Sequence, residues 1–274
     1  MVCRIILLLA AASTAFSAHG GVSADNLNSI FSAVKGVAKS QEVASMSEED
    51  EIAVGKEIAA QTLGSYPVVR DEKLQRYLNQ VGLWVALQSP RPSLPWRFAA
   101  VESKQINAFA VPGGAVLVTR GMLNLVANEA ELACVLGHEI GHVVRKHHLT
   151  LVQKEILLKT GSDVLSAQMQ SGDMRKALVA QTGDLFARAL DRGSESDADG
   201  DGVLYAARAG YDPDACLTFM KRMAGMKQDA GALQSLFKTH PRPADRVADV
   251  GNALGRLEGI EPGTGIRPKL GYKH

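Results

Sequence analysis

The residues best able to do chemistry in this chain are His138, Glu139 and His142, which form an H-E-x-x-H pattern. Apolar residues recur around them at helical spacing, which predicts an α-helix. The two imidazoles then lie about 40° apart around the helix axis, one turn from each other, and can bind the same metal ion. Glu139 lies about 60° further round, where it can reach a water beside the ion but is poorly placed to bind the ion itself. The pattern predicts a helix that supplies two metal ligands and a general base, as in a zinc hydrolase.

The helix that carries this pattern has its own start signal and its own apolar side. Asn128 and Glu131 form a capping-box-like start. The apolar side consists of Leu132, Leu136, Ile140 and Val143. This side favours a metal site over the alternative of two histidines and an acid on a solvated helix face. Gly137 and Gly141 should each cost about 1 kcal/mol against alanine, so we expect another backbone, of the sheet or of a substrate, to approach closely there. His147 and His148 follow the helix, and we expect them to cap it or to carry surface charge.

A catalytic zinc needs a third protein ligand and an open position for water. Glu195 and Asp199 lie one turn apart if a helix starts at Ser194. Glu195 can then bind the metal, and Asp199, on the same face, can accept the outer N–H of a ligand histidine. The predicted cofactor is one Zn²⁺ per chain, held by His138, His142 and Glu195.

Three alternatives stay open for the metal. Cys134 lies one turn before His138 on the same face and is a conceivable ligand, although a small buried thiol or a pair with Cys216 also fits. Residues 197–202 match the first half of a calcium loop, but Arg208 stands where that loop needs a glutamate. Two histidines and a carboxylate can also hold Fe(II), but Glu139 directly beside His138 favours hydrolysis.

The composition excludes one large class of function. The chain has 274 residues, 46% of them hydrophobic, and a formal net charge of +1. It has no basic stripe, so nucleic acid is not an expected partner.

The chain divides into four predicted segments. Residues 1–18 combine Arg4, a short apolar run and small residues, which is typical of a signal peptide and predicts export to the periplasm. The run is too short to span a bilayer. Residues 19–46 are a linker with a short helix around 30–37, residues 47–257 form the main domain, and residues 258–274 are a flexible tail.

The main domain is predicted to be α+β and mainly helical. Helices are expected from Ser47 to about Leu63 and from Asp71 to before Pro90. Three strands follow, at 96–101, 106–111 and 115–119, the last two as a hairpin around 112–114. The edge of this sheet can pair with an extended peptide and lay it across the metal. The candidate residues for that contact are Asn107, Ala108 and Phe109; the alternative is a plain structural hairpin.

An ordered set of motifs over residues 50–250 resembles a known family. The motifs lie at 107–110, 112–114, 129–136, 138–142, 195–199 and 210–213, and at His240-Pro241 followed by Arg246. Together they resemble the zinc metallopeptidases related to HtpX and the CAAX prenyl endopeptidase, in their soluble exported bacterial branch. Its residues match neither the transmembrane helices of the membrane members nor the C-terminal helical repeats of another branch, so we expect it to belong to neither.

The resemblance implies a fold and a set of roles. The expected fold is a zincin-like metallopeptidase domain with a small antiparallel sheet packed beside the H-E-x-x-H helix. In this family the acid matching Glu195 is the third ligand, with Asp199 behind it. The residue matching His240 lies near the active site, where it assists the transition state or gates the metal, and Arg246 is its helper.

The expected function is therefore zinc-dependent endopeptidase activity on exported or misfolded envelope proteins. Polypeptides are the expected partners, with peripheral contact to the membrane or the outer-membrane assembly machinery. A chaperone-like binder of exported polypeptides, with a closed metal site, is the alternative from another class. A latent enzyme, blocked by residues 149–190 or by His240, is a third.

Overall fold

The computed structural model describes residues 46–151, 179, 189–226, 231, 233–240 and 243–257. The signal peptide, the short helix around 30–37, the tail and most of the segment 149–190 lie outside the described residues and stay predictions. Among the described helices, none has both the length and the apolar composition that crossing a bilayer requires.

The first two helices begin where the capping signals predict. Helix α1 spans Glu48–Ser65, and the hydroxyl of Ser47 accepts a hydrogen bond from the backbone N–H of Asp50. Helix α2 spans Glu72–Ala86, and the carboxylate of Asp71 accepts from the first free N–H groups of the helix. Short polar side chains at these positions satisfy donors that a helix start leaves unpaired. Both predicted starts are confirmed.

The sheet contains β1 (Arg97–Val101), β2 (Ala108–Val111) and β3 (Ala115–Thr119), in the order β1-β3-β2. The predicted hairpin is confirmed: β2 and β3 are antiparallel. Gly113 and Gly114 form the turn between these strands. Their φ values are 77° and 106°, which residues other than glycine rarely adopt.

The prediction of a wholly antiparallel sheet is wrong, because β1 pairs with β3 in parallel. The chain leaves β1, reverses direction and enters β2 at the far edge of the sheet. The hairpin then reverses it again. Two reversals return β3 to the direction of β1, and β3 lies between the two other strands.

Helix α3 (Arg120–Leu125) follows, and then the metal helix α4 (Glu129–Val144). Asn128 accepts from the N–H of Glu131, and the carboxylate of Glu131 accepts from the N–H of Ala127, so the predicted start is confirmed. The apolar side of α4 shares one buried core with α2 and one face of the sheet. The small sheet thus packs beside the metal helix, as the sequence predicts.

Four further helices are bounded within the described residues: α5 (Arg192–Arg208), α6 (Asp214–Ala224), α7 (Gln234–Thr239) and α8 (Pro243–Gly255). A disulfide between Cys134 and Cys216 joins α4 to α6. Of the alternatives left open for Cys134, the pair with Cys216 is therefore present, and the sulfur of Cys134 is not free to bind a metal.

Helix α5 crosses α4 at very short range. A Cβ added at Gly137 would lie 3.0 Å from the Cα and the carbonyl oxygen of Gly202, and one at Gly202 would lie 3.0 Å from the backbone nitrogen of His138. A Cβ added at Gly141 would lie 3.0 Å from the Cβ of Asp201. The close backbone approach predicted at Gly137 and Gly141 is thus present, but a second helix makes it rather than the sheet or a substrate. Glycine is needed at these positions because any larger side chain would keep the two helix backbones apart.

A buried acid on α1 connects that helix to the hairpin turn and to the C-terminal end of α4. Glu51 is fully buried and pairs with Arg91 and Lys146, with N–O distances of 3.0 and 3.1 Å. The same carboxylate accepts a hydrogen bond from the N–H of Gly113 in the hairpin turn. Helix α1, the turn and the end of α4 are therefore held by one charged group.

The helix crossing predicts opposite effects for two glycines of α5. Gly202→Ala should lower the free energy of unfolding by about 1–3 kcal/mol, because its Cβ would lie 3.0–3.4 Å from backbone atoms of α4 and would force the two helices apart. Gly200→Ala is the matched control: its Cβ meets nothing within 4 Å, so the better helix former should stabilise the protein by up to about 1 kcal/mol. Guanidinium unfolding curves measure both. Equal stabilisation by the two variants would contradict the close crossing.

Candidate metal centre

Four side chains converge at the crossing of α4 and α5. His138, His142, Glu195 and His240 each offer a nitrogen or oxygen atom, and these atoms all lie within 4.8 Å of one another. The Nε2 atoms of His138 and His142 are 3.0 Å apart. The carboxylate oxygens of Glu195 lie 3.5 Å from His142 Nε2 and 3.7 Å from His138 Nε2. This group could hold a metal ion, and it contains all three residues that the sequence predicts as ligands.

Each member of the group comes from an element with a local reason for its position. The two histidines lie one turn apart on α4. Asp191 caps α5 by accepting from the N–H of Ser194, so Glu195 lies in the first turn of that helix. His240 follows the last residue of α7. Helix α5 thus places its acid over the histidines because it crosses α4 so closely.

Asp199 and Arg246 support the group from behind. The Oδ1 atom of Asp199 lies 3.0 Å from His138 Nδ1, the ring nitrogen that faces away from the other three residues. Arg246 donates to both oxygens of Asp199, at 2.8 and 2.6 Å. Its remaining terminal nitrogen lies 2.9 Å from Glu195 Oε2. One buried guanidinium therefore fixes two carboxylates and, through Asp199, the orientation of the His138 ring.

His147 plays a similar part for His142, and sequence reasoning missed it. The Nδ1 atoms of His142 and His147 are 2.8 Å apart. Lys146 adopts a left-handed conformation, with a φ of 58°, and turns the chain back toward the helix that it has just left. No glycine marks that turn, so it could not be predicted from the residue types. The prediction that both trailing histidines cap the helix or carry surface charge is wrong, because His148 is buried and His147 contacts His142.

His240 and Glu139 are both buried beside the metal-facing atoms. His240 Nδ1 lies 3.1 and 3.2 Å from the two oxygens of Glu195, and its Nε2 lies 3.6 Å from Glu139 Oε1. Glu139 is buried, and its Oε2 atom has no hydrogen-bond partner among the described residues. A buried carboxylate oxygen without a partner is costly, and it is oriented for a proton donor that the described protein atoms do not supply.

The charges of the site keep its acids ionised. Burial favours a higher pKa for Glu195, but the charges of His240 and Arg246 and a hydrogen bond from His240 outweigh it and hold the pKa at about 2. Burial acts in the same way on Asp199, yet Arg246 lowers the pKa of that acid too. For His142 burial lowers the pKa, and the neighbouring imidazoles lower it further, so the ring stays neutral. Neutral imidazole and ionised carboxylate are the forms that bind a metal.

The three residues predicted to bind substrate are buried around β2. Asn107 is fully buried, donates to Ser235 Oγ at 3.0 Å and lies 3.5 Å from Thr239 Oγ1, so its side chain contacts α7. Phe109 packs against Tyr66, with ring centroids 5.3 Å apart. Strand β2 lies at an edge of the described sheet. Peptide pairing along that edge by residues 107–109 stays a prediction.

The calcium-loop interpretation is wrong. Asp197, Asp199 and Asp201 lie within α5, a helix and not a loop. Asp201 accepts two hydrogen bonds from Arg145, at 2.6 and 3.0 Å, and Asp199 is held by Arg246.

We expect the buried His148 to lower the free energy of unfolding in acid. It is buried, and its Nδ1 atom has no hydrogen-bond partner in the described part of the chain. Burial lowers its pKa from 6.5 to about 3. Between these pH values the unfolded chain binds a proton that the folded chain does not, so stability falls as the pH drops below about 6.5.

The variant His148→Leu has no imidazole at this position, so its unfolded chain cannot bind the extra proton. Between pH 7.5 and pH 5 its free energy of unfolding should fall by about 2 kcal/mol less than that of the unmodified chain. Urea unfolding at the two pH values, in the presence of a chelator, measures the difference. Parallel losses in the two proteins would show that His148 does not contribute to acid sensitivity.

Comparisons with known proteins agree with this arrangement. Residues 72–253 match the model of Peptidase family M48. The beta-barrel assembly-enhancing protease of Yersinia pestis is 29% identical over 223 residues, which cover 78% of this chain and 46% of that protein. The mitochondrial metalloendopeptidase OMA1 of Arabidopsis thaliana is 31% identical over 175 residues, 64% of this chain and 35% of that protein. Metalloprotease YcaL of Escherichia coli is 25% identical over 249 residues, 89% of this chain and 95% of that protein.

The chain thus spans less than half of the Yersinia protein, but it spans nearly all of YcaL. The family match includes α2, the sheet, the metal helix, α5 and His240 with Arg246. From the match and the convergence of side chains described above, we conclude that this chain belongs to Peptidase family M48.

Proposed function

We propose that this protein is a zinc-dependent endopeptidase that hydrolyses peptide bonds in exported or misfolded envelope proteins. The observation that carries the proposal is the convergence of His138, His142 and Glu195, with Glu139 and His240 beside them. The family match supports it.

His138, His142 and Glu195 would hold the metal. Two imidazole nitrogens and one carboxylate are the ligands that catalytic zinc sites use, together with one open position. The partnerless oxygen of Glu139 fits such a site, because a water beside the ion would be its donor. When bound, zinc would lower the pKa of a water molecule and polarise the scissile carbonyl.

Glu139 is the general base in this proposal. Its carboxylate takes the proton of the attacking water and then gives it to the nitrogen of the leaving amine. Because Glu139 directly follows His138 on α4, its carboxylate lies beside the metal ligands but is not one of them. Burial of the side chain excludes competing water.

His240 supplies positive charge on the reacting side, and Arg246 acts from behind it. His240 lies between Glu195 and Glu139, and the negative charge of Glu195 raises its pKa in spite of burial. A protonated imidazole there can donate to the oxyanion that develops from the carbonyl. Arg246 positions Asp199 and Glu195 by pairing with both carboxylates.

The substrates and the location follow from the sequence and from the relatives. The predicted signal peptide favours the periplasm. Relatives named beta-barrel assembly-enhancing proteases favour polypeptides of the outer membrane and peripheral contact with its assembly machinery. An extended segment pairing along the edge of β2 would be laid toward the metal helix, since β2 packs against α4.

Glu139→Gln is the direct test of the proposal. The variant should keep one zinc per chain and lose casein cleavage by a factor of about 100 to 10,000, because only the proton transfer is removed. Glu129→Gln, the same change at the start of α4, is the matched control and should cleave casein normally. Zinc content and casein digestion, with and without a chelator, are the measurements.

Two results would contradict the proposal. Cleavage by Glu139→Gln at the normal rate would remove Glu139 from the mechanism. A zinc-loaded unmodified protein that suppresses aggregation of unfolded chains but never cuts them would favour the chaperone-like binder.

A latent enzyme is the second candidate, and the position of His240 favours it. Its Nδ1 atom lies 3.4 Å from His138 Nε2, within the group of four side chains, where it could act as a fourth ligand and close the site. In that case the imidazole must withdraw before a substrate binds.

Substitution of His240 separates the two candidates. If it stabilises the oxyanion, His240→Ala should lower kcat for casein by about 100-fold, and His240→Gln, which keeps an N–H donor, should recover part of that loss. Higher activity in His240→Ala would instead identify a latent enzyme. Steady-state kinetics of both variants at equal zinc content decide between these outcomes.

A further inference from the structure

A cavity of about 60 Å³ lies between α4, α5, α6 and α8, next to the candidate metal centre. A single water needs roughly 10–15 Å³, so the cavity has room for several non-hydrogen atoms. Most of its lining is apolar, from Met122, Val203, Phe219, Met220, Met223 and Leu236.

The cavity is continuous with the reacting centre. His138, Glu139 and His240 line it as well as the metal site. A peptide bond held beside Glu139 would therefore have a neighbouring side chain within reach of the cavity.

The charged groups of the lining are already engaged. Glu139 and His240 face each other at the reacting centre, and the proposal assigns the free oxygen of Glu139 to the attacking water. Arg246 and Asp199 both line the cavity, but they pair with each other at 2.6 and 2.8 Å, and Arg246 also pairs with Glu195. A charged substrate side chain would lose its water and gain no partner, which is costly. An apolar side chain would lose no hydrogen bonds to water and would gain free energy by burying its surface.

Helix α6 forms much of the apolar wall, and it is held in place covalently. Phe219, Met220 and Met223 come from this helix, and the disulfide from Cys216 to Cys134 ties it to α4. Both cysteines line the cavity. Methionine side chains are flexible and adapt to different apolar shapes, so this wall suits a range of large apolar residues.

We propose that this cavity is the specificity pocket of the enzyme and that it takes a large apolar side chain, such as leucine, methionine or phenylalanine, from a residue next to the scissile bond. Phe219 lies in the wall of this pocket, and we expect its ring to limit the size of the side chain that fits. The inference rests on the proposed endopeptidase function. It assigns the substrate class as polypeptides with exposed apolar residues, the state of a chain that has not folded.

The first experiment maps cleavage. The zinc-loaded full chain digests casein, and mass spectrometry locates the cut bonds. Leucine, methionine and phenylalanine should be enriched at one position next to the cut. Two quenched fluorogenic peptides that differ only there, leucine against aspartate, should then differ at least 10-fold in kcat/KM.

The second experiment changes the pocket. Phe219→Ala should raise the kcat/KM ratio of a tryptophan peptide to a leucine peptide by about 10-fold. Phe219→Leu is a milder change that keeps the helix packed, and it should shift the ratio in the same direction. Leu217→Ala is the matched control: it lies on the same helix but does not line the cavity, so it should leave the ratio unchanged.

A binding measurement tests the pocket without requiring cleavage. The fluorescent leucine and aspartate peptides are bound to the full chain carrying Glu139→Gln, and fluorescence anisotropy gives their affinities. The leucine peptide should bind at least 10-fold more tightly, and Phe219→Leu in the same background should reduce that ratio.

The outcomes separate the two proposals. A protein that never cleaves, yet binds the leucine peptide preferentially through Phe219, would overturn the endopeptidase and keep the pocket. Cleavage without an apolar preference, or a preference that Phe219→Ala, Phe219→Leu and Leu217→Ala leave equally unchanged, would overturn the pocket and keep the endopeptidase.

Discussion

The structure depends on the contact of two helix backbones at glycine. Gly137 and Gly141 on α4 face Gly202 and Asp201 on α5, and a Cβ at either α4 glycine would come within 3.0 Å of its neighbour. At this distance the first turn of α5 lies over the histidines of α4, so that Glu195 reaches both rings and Asp199 reaches the outer nitrogen of His138. A wider crossing would leave the same residues in the same helices but separate the acid from the imidazoles. The glycines weaken the helices, and in return they bring together a site that neither helix could form alone.

The buried charges are arranged so that each has a partner. Arg246 holds Asp199 and Glu195, and His240 lies between Glu195 and Glu139. Buried ion pairs are costly to break, because the remaining charge stays away from water. This network therefore fixes the orientation of the metal-facing atoms more than it stabilises the fold. The cavity next to it is mostly apolar, so the residues proposed to select a side chain differ from those proposed to react.

Local signals in the sequence predicted most of the helices and the shape of the site. Asp71 and Asn128 start their helices because a short polar side chain caps the first free N–H groups, an effect of adjacent residues. The spacing within residues 138–142 and 195–199 set which atoms share a face. Contacts between distant segments were not predictable in this way. The parallel pairing of β1 with β3, the Cys134–Cys216 disulfide and the helix that meets Gly137 all depend on how separate elements pack. His147 reached the site through a left-handed turn without glycine, and Asn107, expected at the substrate, contacts α7 because that helix packs over the start of β2.

The central claim is that one metal ion is shared by His138, His142 and Glu195. A crystal of the zinc-loaded protein, with anomalous diffraction measured at the zinc absorption edge, tests it most directly. We expect one anomalous peak per chain, about 2.0–2.1 Å from Nε2 of both histidines and about 2.0–2.2 Å from a carboxylate oxygen of Glu195. A peak elsewhere in the protein, or a peak at the histidines with the Glu195 carboxylate out of contact, would contradict it.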